Sequence, residues 1–421
     1  MNRGLVAGAI FGAGLISGGL LIQSGAWREA DAATGSARLF DQVMARISQD
    51  YIDTLTTDDM YSRAAAGFVK EIDDPYSALL TPDRYRRLRE STSGRYAGVG
   101  IELDMRDGFV TVIAPLAGTP ADSAGIRPGD RIAAVDGRSI LGLTMDEVQQ
   151  VLRGLSGTKV RLTLERGAEK LTLTLTRRTI VYHPVQRAEV LNGVGVVALA
   201  TFSERAASEL RRAIDSLRAN GARSLILDLR ENPGGLLEQG IAVADLFLNT
   251  GQTIASTRGR TPDTDHEFDD EAPQRWPGMP IVALVDSGTA SAAEIVAGAL
   301  QDNRRAVVIG SRTYGKGSAQ SIFPVTGGRA LKLTTARWFT PDGKTIERDS
   351  TTGGIEPDIS VKREAGSGKR FTLTAPGLPA SRFPLPANDP VVQRAMTLLA
   401  GVKTPEELRG RIPRRAIDRR P

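Results

Sequence analysis

Four short, almost unbroken apolar runs alternate with helical segments in the second half of this chain, and no other feature constrains the fold as much. The runs are Val194 to Leu199, Ser224 to Leu229, Ile281 to Val285 and Ala306 to Ile309. Each is bounded by turn residues and reads as a strand. Glu204 to Ala219, Gly240 to Leu248 and Ala292 to Leu300 read as helices between them. Strand and helix in alternation specify an α/β core that begins at about residue 180.

The chain is longer than this core needs. Its 421 residues point to two or three domains, with enough apolar content (41%) for a sizeable interior. Residues 38–95 read as a helical region, in which Leu39, Phe40, Val43 and Ile47 recur at helical spacing. Asp73-Asp74-Pro75 breaks that pattern and Thr81-Pro82-Asp83 restarts it. Residues 96–178 change character. Strands at Val110 to Ile113, Arg131 to Val135, Val160 to Leu164 and Leu171 to Leu175 surround a helix from Thr144 to Leu152. Thr144 and Glu147 there form a capping-box pattern. The core spans 180–363, with residues 258–278 as a polar loop. Residues 364–421 read as a Gly/Ser/Pro linker, a short helix from Asp389 to Leu399 and an Arg-rich tail.

The N-terminus has a different composition. No charged residue occurs from Gly4 to Ile22, Arg3 precedes the stretch, and Ser24-Gly25-Ala26 has a small-x-small form. Residues 1–33 read as a signal peptide or a membrane anchor. The expected location is the periplasm or cell envelope. Net charge is +5 and the basic residues are spread along the body, so there is no nucleic-acid footprint. Cysteine is absent, which excludes disulfides, cysteine nucleophiles and thiolate metal sites.

Three segments carry reactive residue types. In Asp286-Ser287-Gly288-Thr289-Ala290-Ser291-Ala292-Ala293-Glu294 a strand runs into a helix of small residues. Ser291 falls at the first helical turn, where free backbone N–H groups and the positive end of the dipole favour a developing oxyanion. A serine at such a turn is also an ordinary N-cap, so this segment alone decides little. The second segment places Lys316 between Gly315 and Gly317. Glycine there gives up local order for close backbone approach. Only nine of the 54 basic residues are lysines. A lysine can lose its proton in a dry pocket, which an arginine effectively cannot. The third segment is the strand Leu225 to Arg230 running into Glu231-Asn232-Pro233-Gly234-Gly235, whose glycines can present N–H groups to an anion.

Taken together and in order, these segments resemble the carboxyl-terminal processing peptidases, or tail-specific proteases, from about residue 38 to residue 362. The motif matches are Thr289 to Glu294, Gly315-Lys316-Gly317 with Gln320, Asp228 to Gly235, and Gly354 to Asp358. The resemblance implies a crotonase/Clp-protease-like α/β core with an inserted PDZ domain and a helical N-terminal region. It implies a serine endopeptidase with Ser291 as nucleophile, Lys316 as general base and Gln320 orienting the amine. The amides of Ala292 and of Gly234 or Gly235 would hold the oxyanion. Asp228, Arg230 and Glu294 match charged positions that shape the site, either directly or as structural ion pairs. Residues 96–178 resemble a PDZ domain, with Gly98-Val99-Gly100-Ile101 as the loop that takes up a terminal carboxylate.

The implied partners are proteins and peptides with free apolar C-termini, an adaptor protein, and further copies of the chain. No cofactor is implied. A Ser-His-Asp alternative has only His183 and His266 to draw on, and neither accompanies a Gly-x-Ser-x-Gly motif. A non-catalytic PDZ scaffold would predict loss of Ser291 or Lys316, and both are present. The acids Asp263, Asp265, Glu267, Asp269 and Asp270 read as a solvated face rather than a metal site.

Overall fold

The apolar runs become neighbours in one sheet. Val194–Leu199, Ser224–Asp228, Ile281–Val285, Val307–Gly310 and Ile359–Ser360 lie parallel in that order, and Val185–Leu191 adds antiparallel beside the first. The computed structural model describes residues 37–348, 353–361 and 389–412. Residues 1–33, the 364–380 linker and the end of the Arg-rich tail lie outside them.

The runs are almost wholly apolar because both sheet faces are covered. Side chains alternate across a strand. Leu225, Leu227, Ile281, Ala283 and Val285 face the core shared with the helices Ala206–Ala219, Leu237–Asp245 and Ala292–Asp302. Ile226, Val282, Leu284, Val307 and Ile309 face a second core. That core is closed by Val391, Val392, Ala395, Leu398 and Leu399 of the helix Pro390–Leu399. A further helix, Pro405–Gly410, adds Leu408 to the same cluster.

A second, antiparallel sheet stands beside the first. Arg329–Phe339 pairs with Ser318–Val325 and with Thr253–Gly259, which in turn pairs with His266–Asp269. Much of this sheet is not legible in the apolar pattern. The expected loop at 258–278 instead contains the strand His266–Asp269 and a 3-10 turn at Pro262–Thr264. Pairing with Thr253–Gly259 orders that polar sequence.

The 96–178 region is a five-strand meander with a short strand, Arg138–Ser139, off its third member. Chain entry at Arg95–Gly98 and exit at Arg178–Val181 pair antiparallel, so the domain is inserted on a two-stranded neck. Its helix Met145–Leu152 has the expected capping box between Thr144 and Glu147. Buried Arg177 holds the helix end, donating to the carbonyls of Leu152 (2.9 Å) and Val151 (3.1 Å). The edge strand Ile101–Arg106 pairs only with Phe109–Pro115 among the described residues.

The unit ending at Leu79 contains helices over 37–50 and Thr57–Lys70. Leu39, Phe40, Val43 and Ile47 share a face of the first helix and are exposed. Within residues 38–95, Ala78–Leu80 is a short strand and Arg95 opens another.

Candidate active site

Functional groups of an open α/β sheet gather at the carboxyl ends of its strands. Four adjacent ends contribute here. Val194–Leu199 leads to Thr201, Ser224–Asp228 to the glycine loop, Ile281–Val285 to Ser291, and Val307–Gly310 to Lys316. Ser291, Ala292, Gly234, Gly235, Lys316 and Gln320 all line one cavity of about 920 Å³. Phe202, Ile295, Ile322 and Trp338 supply apolar wall, as does Phe268 from the strand not anticipated in the sequence.

Ser291 has φ 55° and ψ −120°, a conformation that non-glycine residues rarely adopt. Such strain costs about 1–3 kcal/mol and persists only where neighbours enforce it. The enforcing contacts are visible. The Ala290 amide donates to the Asn232 carbonyl (2.9 Å), and the Ser291 amide donates to Glu294 Oε2 (2.7 Å). Buried Thr289 donates to the Leu229 carbonyl (2.9 Å).

Glu294 is fully buried and has four donors but no cation among its hydrogen-bond partners. Oε1 accepts from Thr313 Oγ1 (2.5 Å) and the Gly315 amide (2.7 Å), while Oε2 accepts from the amides of Ser291 (2.7 Å) and Lys316 (3.0 Å). One carboxylate therefore joins the serine turn to the lysine loop. Burial pushes its pKa above the usual range despite these four stabilising bonds.

The glycines flanking Lys316 meet a steric demand. A Cβ on Gly317 would lie 2.6 Å from the Glu347 nitrogen, and one on Gly315 would lie 2.9 Å from Arg348 Cβ. Trp338 Nε1 donates to the Lys316 carbonyl (2.9 Å). Thr313 accepts from the Ile355 amide (2.6 Å), so the Gly354-to-Asp358 motif braces the same loop. Gln320 donates to Ser318 Oγ (3.1 Å) and Thr334 Oγ1 (3.2 Å).

On the glycine loop, a Cβ added to Gly234 would sit 2.9 Å from both the Ala292 nitrogen and Ser291 Cβ. The loop thus packs directly on the serine turn. The Gly234 amide donates to Asn232 Oδ1 (2.9 Å), which leaves Gly235 as the loop's candidate oxyanion donor beside Ala292.

Asp228 and Arg230 lie behind this cavity and do not line it. Arg230 makes a bidentate pair with Asp228 (2.9 and 2.6 Å) and a further bond to Asp389 Oδ2 (2.7 Å). Burial opposes the charge on Arg230, yet the Asp228 and Asp389 carboxylates raise its pKa above the ordinary value. Asp389 also caps Pro390–Leu399 by accepting from the Val391 amide (2.9 Å). The three residues form a structural ion set tying the C-terminal helix to the strand that leads into the glycine loop. Thr201, Asn232, Thr313, Trp338 and Asp389 were not singled out in the sequence for any role. Only Asn232 carried a signal, through its place in the motif.

In the inserted domain, Gly100 has φ 76°, and a Cβ there would sit 2.4 Å from Thr119 Cβ. The carbonyls of Val99 and Gly100 accept from the amides of Ala121 and Leu116 (2.9 Å each). His183 sits by Glu209 (3.2 Å), and His266 lines the cavity with Nε2 at 2.9 Å from the Asp263 carbonyl.

A family model described as Peptidase family S41 matches residues 193–361, and a PDZ domain model matches residues 111–166. The carboxy-terminal processing protease CtpA of Bacillus subtilis (strain 168) is 35% identical over 337 residues, covering 79% of this chain and 71% of that protein. A carboxy-terminal-processing protease of Bartonella bacilliformis is 37% identical over 329 residues, covering 77% and 74%. A protein from Bacteroides fragilis NCTC 9343 solved as an S41 protease superposes with a TM-score of 0.51 at 19% identity, over 86% of this chain and 97% of that one. That likeness bears on the fold alone.

Proposed function

The chain belongs to peptidase family S41 and is a serine C-terminal processing endopeptidase with a PDZ domain, and from that premise we propose that it works by a Ser291–Lys316 dyad. The observation that carries this reading is the convergence of Ser291, Lys316 and the glycine loop on one cavity. Ser291 Oγ attacks the scissile carbonyl carbon while neutral Lys316 takes the hydroxyl proton. The amides of Ala292 and Gly235 receive the oxyanion. As the tetrahedral adduct collapses, the Lys316 ammonium returns its proton to the departing amine, leaving an acyl-enzyme. Water then attacks the acyl carbon while Lys316 takes its proton, and on collapse Lys316 returns that proton to Ser291 Oγ as the acid product leaves. Gln320, held by two hydroxyls, orients the lysine amine. Arginine at position 316 is the test of this reading.

The enzyme binds peptide and protein substrates. The proposed finer statement is that the PDZ domain selects free, apolar C-termini. The inward-turned carbonyls of Val99 and Gly100 leave the amides of that loop for a carboxylate, and Ile101–Arg106, an edge strand among the described residues, offers itself for strand addition. Full-length Ser291→Ala protein is expected to bind a peptide ending in apolar residues at least about tenfold more tightly as the free acid than as the amide. Equal affinities by calorimetry would reject the carboxylate role.

Action outside the cytoplasm is also proposed, on the uncharged Gly4-to-Ile22 stretch after Arg3. Among the described residues, no helix is long and apolar enough to cross a membrane. A reporter fused after residue 40 and active only on export should be active, and a cytoplasmic signal from it would refute the location. Self-association is supported by the exposed apolar face at Leu39, Phe40, Val43 and Ile47.

A further inference from the structure

We propose that Thr201 is a positioning residue for the oxyanion hole, its hydroxyl fixing which way the Gly234–Gly235 peptide faces. The inference rests on the Ser-Lys reading above and adds a component to it.

A peptide bond between two glycines has no Cβ on either side to resist rotation of its plane. Here Gly234 has φ 93° and Gly235 has φ 149°, conformations open to glycine and unfavourable for other residues. One orientation of this peptide offers the Gly235 N–H to the cavity. The opposite one offers the Gly234 carbonyl, which would repel an oxyanion. With no side chain on either glycine to choose between them, the hydrogen bonds of the peptide select the orientation.

The carbonyl of Gly234 accepts from the Phe202 amide (2.9 Å) and from Thr201 Oγ1 (3.1 Å). A trans peptide is planar with its N–H opposite its C=O, so holding the carbonyl aims the Gly235 N–H. The preceding amide is engaged as well, since Gly234 N–H donates to Asn232 Oδ1 and Asn232 Nδ2 donates to the Leu199 carbonyl (2.7 Å). The Phe202 bond belongs to the backbone, so exchanging the side chain at 202 for anything but proline leaves it in place. Thr201 supplies the side-chain donor to this carbonyl, from the end of Val194–Leu199, and it lines the cavity half-buried. Its own position is therefore set by the sheet rather than by the loop that it steadies.

The test compares Thr201→Val and Thr201→Ser in the full chain. Valine preserves the shape and removes the donor, while serine keeps the donor and removes the methyl group. Each variant is assayed with a peptide substrate, with a peptide boronic acid that forms a tetrahedral adduct on Ser291, and with the parent peptide as a ground-state ligand. Thr201→Val is expected to lower kcat about tenfold, with KM and parent-peptide affinity nearly unchanged. Boronate affinity should fall by a similar factor. The pH profile should keep its wild-type form, because the base is untouched. Thr201→Ser should restore most of the activity.

Wild-type kcat in Thr201→Val would overturn the inference. So would equal losses in the valine and serine variants, which would assign the effect to methyl packing. If Ser291→Ala itself retained activity, the dyad reading would have failed instead. If Ser291→Ala is inactive while Thr201→Val is unchanged, only the Thr201 inference falls.

Discussion

Substituting arginine for Lys316 is expected to leave a folded enzyme as inactive as Ser291→Ala, about 10⁴-fold or more below wild type. A free lysine titrates at about 10.4, so as a base near neutral pH it must be held neutral by its surroundings. Arginine keeps the charge and the reach but cannot give up its proton in a protein. If Lys316 served as a charge or as packing, arginine would preserve much of the rate. If it abstracts the Ser291 proton, arginine and alanine at this position should be equally inactive. Cleavage of a peptide substrate, with folding checked by circular dichroism, decides the matter. A folded Lys316→Arg enzyme near the wild-type rate would end the dyad mechanism for this chain.

Glu294→Gln should have the next largest effect, although it removes no group from the reaction. A glutamine has one acceptor oxygen and one NH₂ group, and Glu294 now accepts four hydrogen bonds. Whichever way the amide turns, its NH₂ faces two donors. With Oε1 kept, those donors are the amides of Ser291 and Lys316. Each buried donor left unpaired costs about 1–3 kcal/mol. A stability loss of about 2–6 kcal/mol is therefore expected in urea unfolding. The serine turn and the lysine loop would also lose their common anchor. A fall in kcat of about 10²-fold should accompany the stability loss, with a smaller change in KM. Wild-type kcat in a Glu294→Gln enzyme of lowered stability would show that the clamp serves folding and not the alignment of Ser291 with Lys316.

The α/β core was legible because burial on both faces leaves a direct imprint. A strand covered on two sides has few polar positions, and the runs at 194–199, 224–229, 281–285 and 306–309 carry that imprint locally. The capping box at Thr144 and Glu147 was legible for a related reason, since both partners lie within one helical turn. Ser291, Lys316 and the Gly234-Gly235 pair were legible as residue types in motifs. What each touches was not.

Where the sequence is silent, the partners are far apart in the chain. Thr201 and the Gly234 carbonyl are separated by 33 residues, Thr313 and Glu294 by 19, and Arg230 and Asp389 by 159. No periodicity links such pairs, because periodicity reports only a residue's own helix or strand. The strand His266–Asp269 escaped for the same reason: its polar residues are ordered by pairing with Thr253–Gly259.

The elements of the α/β core and the residues able to react can be read from the chain alone. Tertiary structure alone decided that Glu294 is a hydrogen-bonded clamp rather than a member of an ion pair, and that Asp228 and Arg230 brace the C-terminal helix from behind the cavity. It also decided that the Gly234 amide is already engaged by Asn232. The physical reason is that a hydrogen bond acts over about 3 Å and depends on direction. Whether a group has a partner is therefore settled only once the fold has brought distant segments together.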